Sequence, residues 1–226
     1  MQTKSHYEYA YKFNKEYFSK NKYKPSPWER KVGSDIMKLE LNGLRVLDAG
    51  PEQGHLLKSL VKRGIKPFAV DVTPSIVKKL NSEGITAKQA DLSADRIPFP
   101  SNYFDIIIFT EVIEHLFDCQ HAVDELYRVL KKGGTLYITT HNTLNIFMRV
   151  KFLLGMIPAQ MLDASDRVTR GGHIRVFNEK ALRRILIQAG FRKEGLSNRG
   201  FFAMVLFEPP ILKPLFAQHL YFAATK

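Results

Sequence analysis

Short apolar runs alternate with amphipathic segments along this chain, and that alternation leaves few folds open to it. Arg45–Asp48, Phe68–Asp71, Phe104–Thr110 and Thr135–His141 are brief, β-branched and apolar. Such runs suit parallel strands buried on both faces. Between them the apolar residues fall at helical spacing. His55–Arg63 carries Leu56, Leu57, Leu60 and Val61, then closes on Gly64. Thr73 and Pro74 open a second helix, which buries Ile76, Val77 and Leu80 and stops at Gly84. A third runs from near Cys119 to Leu130, before Lys131-Lys132-Gly133-Gly134, and a fourth from Asn178 to Gly190. Ala87–Asp91 is a weaker strand. Strand–helix repetition of this kind builds right-handed crossovers around a parallel sheet with helices on both faces. The tail differs. Phe201–Phe207 and His219–Thr225 are strand-like, with too short a connection for a crossover helix, so an antiparallel C-terminal edge strand is expected. The fold class is α/β, doubly wound and mostly parallel.

The 226 residues suit one domain. Its expected parts are a helical N-terminal extension (1–41), a core (44–190), an insertion (142–176) and the C-terminal strands (191–226). In the extension, Tyr7, Tyr11, Phe13, Tyr17 and Phe18 interleave with charges, and a second helical run starts at Trp28 and reaches about Leu41. No apolar run is long enough to span a bilayer, and the N-terminus lacks the apolar centre of a secretory signal. The single cysteine, Cys119, cannot form an internal disulfide. A cytoplasmic protein is expected. The net charge of +12 would suit an anionic partner, but the basic residues are spread along the chain without an Arg-rich tract.

In a doubly wound sheet, ligands bind at the carboxyl ends of the strands. The first strand runs into Asp48-Ala49-Gly50-Pro51-Glu52-Gln53-Gly54, the second ends at Asp71, the weak third at Asp91-Leu92, and the next enters Thr110-Glu111-Val112-Ile113-Glu114-His115. A dinucleotide fingerprint would need glycines where Glu52 and His55 stand, and a carboxylate there would repel a pyrophosphate. A ligand without phosphates is expected.

These motifs, in this order, resemble the class I S-adenosylmethionine-dependent methyltransferases over roughly residues 44–190. VLDAGPEQG is similar to the family's glycine motif, with Glu52 in place of its middle glycine; FAVD, QADL, FDIIIFTEVIEHL and YRVLKKGGTLYITT are similar to those that follow. The resemblance implies a Rossmann-like fold and S-adenosylmethionine as cofactor. It implies that Gly50 and Gly54, with Ala49, line the methionine part, with Asp48 near the amino group. Asp71, beside Val72, would hold the ribose hydroxyls, Asp91 and Leu92 would flank the adenine, and Glu111 would complete the cofactor side.

Methyl transfer from a sulfonium asks mainly for positioning, with a base where a hydroxyl must lose its proton. His115 is the first catalytic candidate; His173 and His141 are others, each reading more readily as structural than catalytic. Glu111, Glu114 and His115, with His173, also form an E-x-x-E-H pattern similar to that of metal-dependent RNA 2′-O-methyltransferases and of ubiquinone-pathway O-methyltransferases. The same string recurs in class I enzymes not known to bind metal, and no metal is assigned from the sequence. Asn145–Leu162 is apolar with Arg149 and Lys151, and reads either as a lid or membrane-touching surface over a hydrophobic acceptor or as a helix packed on the core. Gly171-Gly172-His173 would let a lid move. The expected acceptor is a small molecule, hydrophobic or sugar-linked. A metal-dependent RNA 2′-O-methyltransferase and a non-catalytic binding protein of the same fold are the alternatives.

Overall fold

The computed structural model describes residues 26–40, 42–52, 54–156, 173–192, 196–198 and 217–226. In chain order these form α1 (Pro27–Met37), β1 (Val46–Ala49), α2 (His55–Val61), β2 (Phe68–Asp71), α3 (Pro74–Ser82), β3 (Thr86–Gln89) and β4 (Phe104–Thr110). A single 3₁₀ turn (Ile113–His115) follows, then α4 (Cys119–Val129), β5 (Leu130–His141), α5 (Ile146–Leu153), α6 (Glu179–Gln188), β6 (Leu196–Asn198) and β7 (His219–Thr225). The strands make one sheet in the order β3-β2-β1-β4-β5-β7-β6. Pairs β3–β2, β2–β1, β1–β4 and β4–β5 are parallel, and β7 is antiparallel to both β5 and β6. The expected antiparallel C-terminal strand is therefore present. Among the described residues it lies inside the sheet, with the short β6 outside it as the edge.

Strand alternation sends side chains to two cores. Leu47, Ala49, Ile107, Phe109, Leu136 and Ile138 pack with Val123 and Leu126 of α4 and Leu182 and Leu186 of α6. Val46, Ile106, Ile108, Tyr137 and Tyr221 face the other way, onto Val32 and Ile36 of α1, Leu57 and Leu60 of α2, and Ile76 and Leu80 of α3. Both faces of the central strands are thus covered, as their unbroken apolar runs require. Ser26 caps α1 reciprocally with Glu29, a capping box that fixes where this helix begins.

Several boundaries differ from expectation. The first described helix ends at Met37 rather than near Leu41. Helix α4 passes at Val129 straight into β5, so Gly133 and Gly134 lie within a strand rather than ending a helix. A Cβ on Gly134 would come 2.9 Å from the carbonyl oxygen of Asp105, so close strand packing explains that glycine. None of the side chains of α5 is buried, which goes against the core-packed reading over residues 146–153, while residues 157–162 of that segment fall outside the described residues. Phe147, Val150 and Leu153 are exposed on it. The rest of the expected lid, Gly171 and Gly172, the first twenty-five residues and Phe201–Phe207 fall outside the described residues. No helix among the described residues is long and apolar enough to cross a membrane.

Candidate active site

The carboxyl ends of β1, β2 and β3 carry a row of acids. Asp48 is the third residue of β1, and only 4% exposed. Its Oδ1 is buried without a hydrogen-bond partner. Burial first, then the nearby charges of Glu29 and Asp71, raises its pKa to about 8. Asp71 ends β2, and its Oδ1 accepts the backbone N–H of Thr73 at 2.7 Å. Burial raises its pKa to about 6, against the hydrogen bonds from Thr73. Asp91 accepts the Ser93 N–H at 2.9 Å and is buried, as is Leu92 beside it. Asp71 and Asp91 therefore brace their own loops, yet a carboxylate has about four lone-pair sites and can also take a ligand hydroxyl. The side chain of Gln89 ties β3 to the Val72 carbonyl at 3.1 Å.

The turn after β1 is held open by glycine chemistry. Gly50 has φ +84°, donates to the Val70 carbonyl at 2.8 Å, and a Cβ there would stand 2.5 Å from Val112 Cγ2. Gly54 has φ +69° and a Cβ would meet Leu80 Cδ2 at 2.6 Å. Glu52 replaces a family glycine but adopts φ +50°, so the backbone keeps the left-handed bend and the strain is borne by the residue.

Across the rim, at the ends of β4 and β5, lies a compact group of carboxylates and imidazoles. Glu111 has φ +53°, a conformation costly for a residue with a Cβ. His141 Nδ1 is 2.8 Å from Glu111 Oε2 and 3.6 Å from Glu114 Oε1. His219 Nδ1 is 3.5 Å from Glu111 Oε1, and His173 Nε2 is 3.9 Å from Glu114 Oε1. Thr140 donates its hydroxyl to Glu114 Oε2 at 2.9 Å. His115 and His173 meet edge to face, with ring centroids 4.9 Å apart. Trp28 of α1 stacks on His219 at 4.3 Å and meets His141 at 5.9 Å.

Charge in this group is divided unevenly. Burial alone would raise Glu111, but the adjoining imidazoles of His141 and His219 hold it well below the usual carboxylate range. Burial and the charge of Glu111 lift Glu114 to about 7. His141 is raised to about 9, the two carboxylates overcoming its burial. His173 is lowered to about 3 by burial and by His115 and His141, and stays neutral at pH 7. Two subsets have metal-ligand spacing, Glu111–His141–His219 and Glu114–His141–His173, each with ligand atoms within 4.8 Å of one another.

The structure thus brings Glu111, Glu114, His115 and His173 together, as the E-x-x-E-H pattern suggests. His115 is in neither metal-spaced subset, and His141 is in both. His219 and Trp28 were not singled out in the sequence. The only available signal was a histidine opening a terminal strand, which becomes informative once its register with His141 is known.

Comparison with known proteins gives a consistent picture. A profile of the family described as Methyltransferase domain matches residues 5–195. A ubiquinone biosynthesis O-methyltransferase of Xylella fastidiosa (strain M23) is 36% identical over 121 residues, 49% of this chain and 48% of that protein. The chain spans about half the length of the curated relatives it matches. Among solved structures, a SAM-dependent methyltransferase from Archaeoglobus fulgidus superposes with a TM-score of 0.62 at 17% identity, covering 87% of this chain and 94% of the other. A possible histamine N-methyltransferase from Thermotoga maritima gives 0.60 at 18% identity, covering 86% and 87%. At such identities these two speak for the fold alone.

Proposed function

This chain belongs to the class I S-adenosylmethionine-dependent methyltransferase family, and from that premise we propose that it methylates a hydroxyl group of a small molecule. One observation carries the choice of acceptor atom. The imidazole–carboxylate group at the ends of β4 and β5 adjoins the acidic rim of β1–β3. A hydroxyl must shed a proton as it attacks, whereas a neutral amine can attack first. The similarity to a ubiquinone-pathway O-methyltransferase supports the same reading.

The rim fits the cofactor. The unsatisfied buried oxygen of Asp48 suits the cofactor's ammonium, and Asp71 and Asp91 would hold its hydroxyls and base edge. S-adenosylmethionine supplies a methyl group on an already activated sulfonium. The turn Gly50–Gly54 sets the depth of the donor, and the β4 end sets the approach of the acceptor. His115 would take up the proton that the acceptor hydroxyl gives up as its oxygen gains the methyl group. His173 packs against the His115 ring and Glu114 stands behind it. The exposed apolar face of α5, with Arg149 and Lys151, supports a hydrophobic acceptor taken from solution or from an anionic membrane surface.

The test is transfer of labelled methyl to hydroxylated aromatic and polyprenylated acceptors, run beside amines and RNA. Product heavier by one methylene, lost on mild hydrolysis of neither ester nor amide bonds, is expected for the hydroxyl set. His115→Gln should cut turnover by about 10²–10⁴-fold while cofactor affinity holds. Labelling confined to RNA or amines, or full turnover by the His115 variant, would overturn this reading.

A further inference from the structure

We propose that Glu111, His141 and His219 form a binding site for a divalent transition-metal ion with two imidazole ligands and one carboxylate. Three strands deliver them. Glu111 follows β4, His141 ends β5, and His219 begins β7. His141 and His219 are directly opposed in the antiparallel β5–β7 register, so both imidazoles leave the same face of the sheet. Their ring centroids are 4.3 Å apart, and each offers Nδ1 to a different oxygen of Glu111, at 2.8 and 3.5 Å.

The 3.5 Å separation is that of two ligands of one ion, and the 2.8 Å one, also an ion-pair distance, needs only a small opening to admit it. Ligand atoms about 2.0–2.2 Å from one metal stand roughly 3–3.5 Å from each other. Both carboxylate oxygens of Glu111 and Nδ1 of His141 are buried without a hydrogen bond, despite their proximity. Close approach without alignment leaves polar atoms unsatisfied, at a cost of about 1–3 kcal/mol each. A cation between them would satisfy all three. Glu111 also keeps a left-handed backbone, strain that a ligand-holding role would account for. The ring of Trp28 stacked on His219 walls the site with apolar surface and fixes the orientation of one ligand.

The neighbouring subset, Glu114–His141–His173, is the weaker of the two. Its separations are 3.6 and 3.9 Å, and Glu114 Oε2 is already engaged by Thr140. His141 Nδ1 can serve only one ion. Two nitrogens and a carboxylate select Zn²⁺, Mn²⁺ or Fe²⁺ over Mg²⁺ or Ca²⁺, which prefer all-oxygen shells. Three protein ligands leave a coordination position for an oxygen ligand. A deprotonated hydroxyl of the acceptor would suit it; that role rests on the O-methylation reading, whereas ion binding does not.

The experiment strips the full chain with chelator, titrates it with Zn²⁺ alone, and measures bound metal after gel filtration. One equivalent is expected, with Glu111→Gln and His219→Gln each weakening affinity at least ~100-fold, beyond the usual 10–100-fold effect of an outer-shell partner. His173→Gln should leave affinity within about threefold. A crystal structure of the Co²⁺-loaded native protein keeps the test decisive should a variant misfold, since it must place the ion on the two imidazoles of His141 and His219. No uptake, or fewer than two imidazoles, or loss with His173→Gln but not His219→Gln, would overturn the proposal. Calorimetry with S-adenosylmethionine on the same samples separates the two readings. Metal uptake without cofactor binding would sink the function and spare the ion site.

Discussion

Replacing Asp48 by Asn should stabilise the empty protein and weaken its cofactor binding, and the two effects have separate origins. Asp48 sits in β1, 4% exposed, with Oδ1 lacking a partner and with Glu29 and Asp71 adding negative charge nearby. Its pKa rises from 3.8 to about 8, so the carboxyl must take up a proton on folding at neutral pH. The sign follows from proton binding. Between about pH 4 and 8 the folded state holds one more proton at this site than the unfolded state, so stability falls as pH rises. The slope is about 1.4 kcal/mol per pH unit, and the penalty reaches at most about 4 kcal/mol at pH 7. Asn carries no such penalty. Urea unfolding of both proteins at pH 5, 6, 7 and 8 should show the advantage of D48N widening with pH. The same variant should bind S-adenosylmethionine about 1.5–3 kcal/mol less tightly, by loss of a charge-assisted hydrogen bond. A stability difference that stays flat with pH would refute the buried, protonated state. Unchanged cofactor affinity would refute its place in the site.

Asp71→Ala should weaken S-adenosylmethionine by about 1.5–3 kcal/mol in calorimetry, with unaltered affinity removing Asp71 from the ribose site. Gly50→Ala should cost roughly 2–4 kcal/mol in urea unfolding, because positive φ and the 2.5 Å approach to Val112 act together. Adding Val112→Ala should recover the steric part but not the φ part; a double variant no better than the single one would mean that the clash is already relieved by backbone movement. Glu52→Gly should raise stability by about 0.5–1 kcal/mol, the relief of a left-handed residue set against the entropy of an added glycine. A loss of stability there would show that the Glu52 carboxylate makes a contact that matters.

How much was legible in the sequence depended on whether a residue's partners were local. β1, β2 and β4 could be read directly because both faces are buried and, apart from Asp48, Asp71 and Asp105, their residues are apolar or small. β3 was faint because it is an edge strand in which only Ala87 is buried. The start of β5 was missed because α4 enters it without a loop, and Lys131 and Lys132 beside two glycines imitate a helix end. The acids of the rim were legible because Asp48, Asp71 and Asp91 each lie within two residues of the end of a strand. The imidazole group was only half legible. Glu111, Glu114 and His115 share one turn, whereas His219 reaches Glu111 only through the placement of β7.

That placement has a chemical consequence. Parallel strands deliver only their last residues to the ligand-binding rim, and in this chain β1, β2 and β4 supply mainly acids there. A strand running the opposite way delivers its first residue to the same rim. β7 lies beside β5 and antiparallel to it, so His219 arrives opposite His141 instead of at the far end of the sheet. A parallel β7 would have placed His219 a strand's length away, about 20 Å over seven residues at 3.3 Å each, and the group would have lost one of its nitrogens. The reversed strand therefore adds a second imidazole at this rim, beside the one that parallel β5 brings at His141. The rim thus divides into a carboxylate half under β1–β3 and a half at β4, β5 and β7 where carboxylates and imidazoles meet, and the reversal of β7 accounts for His219 in the second. On the proposed reading the first half would face the cationic donor and the second the acceptor hydroxyl.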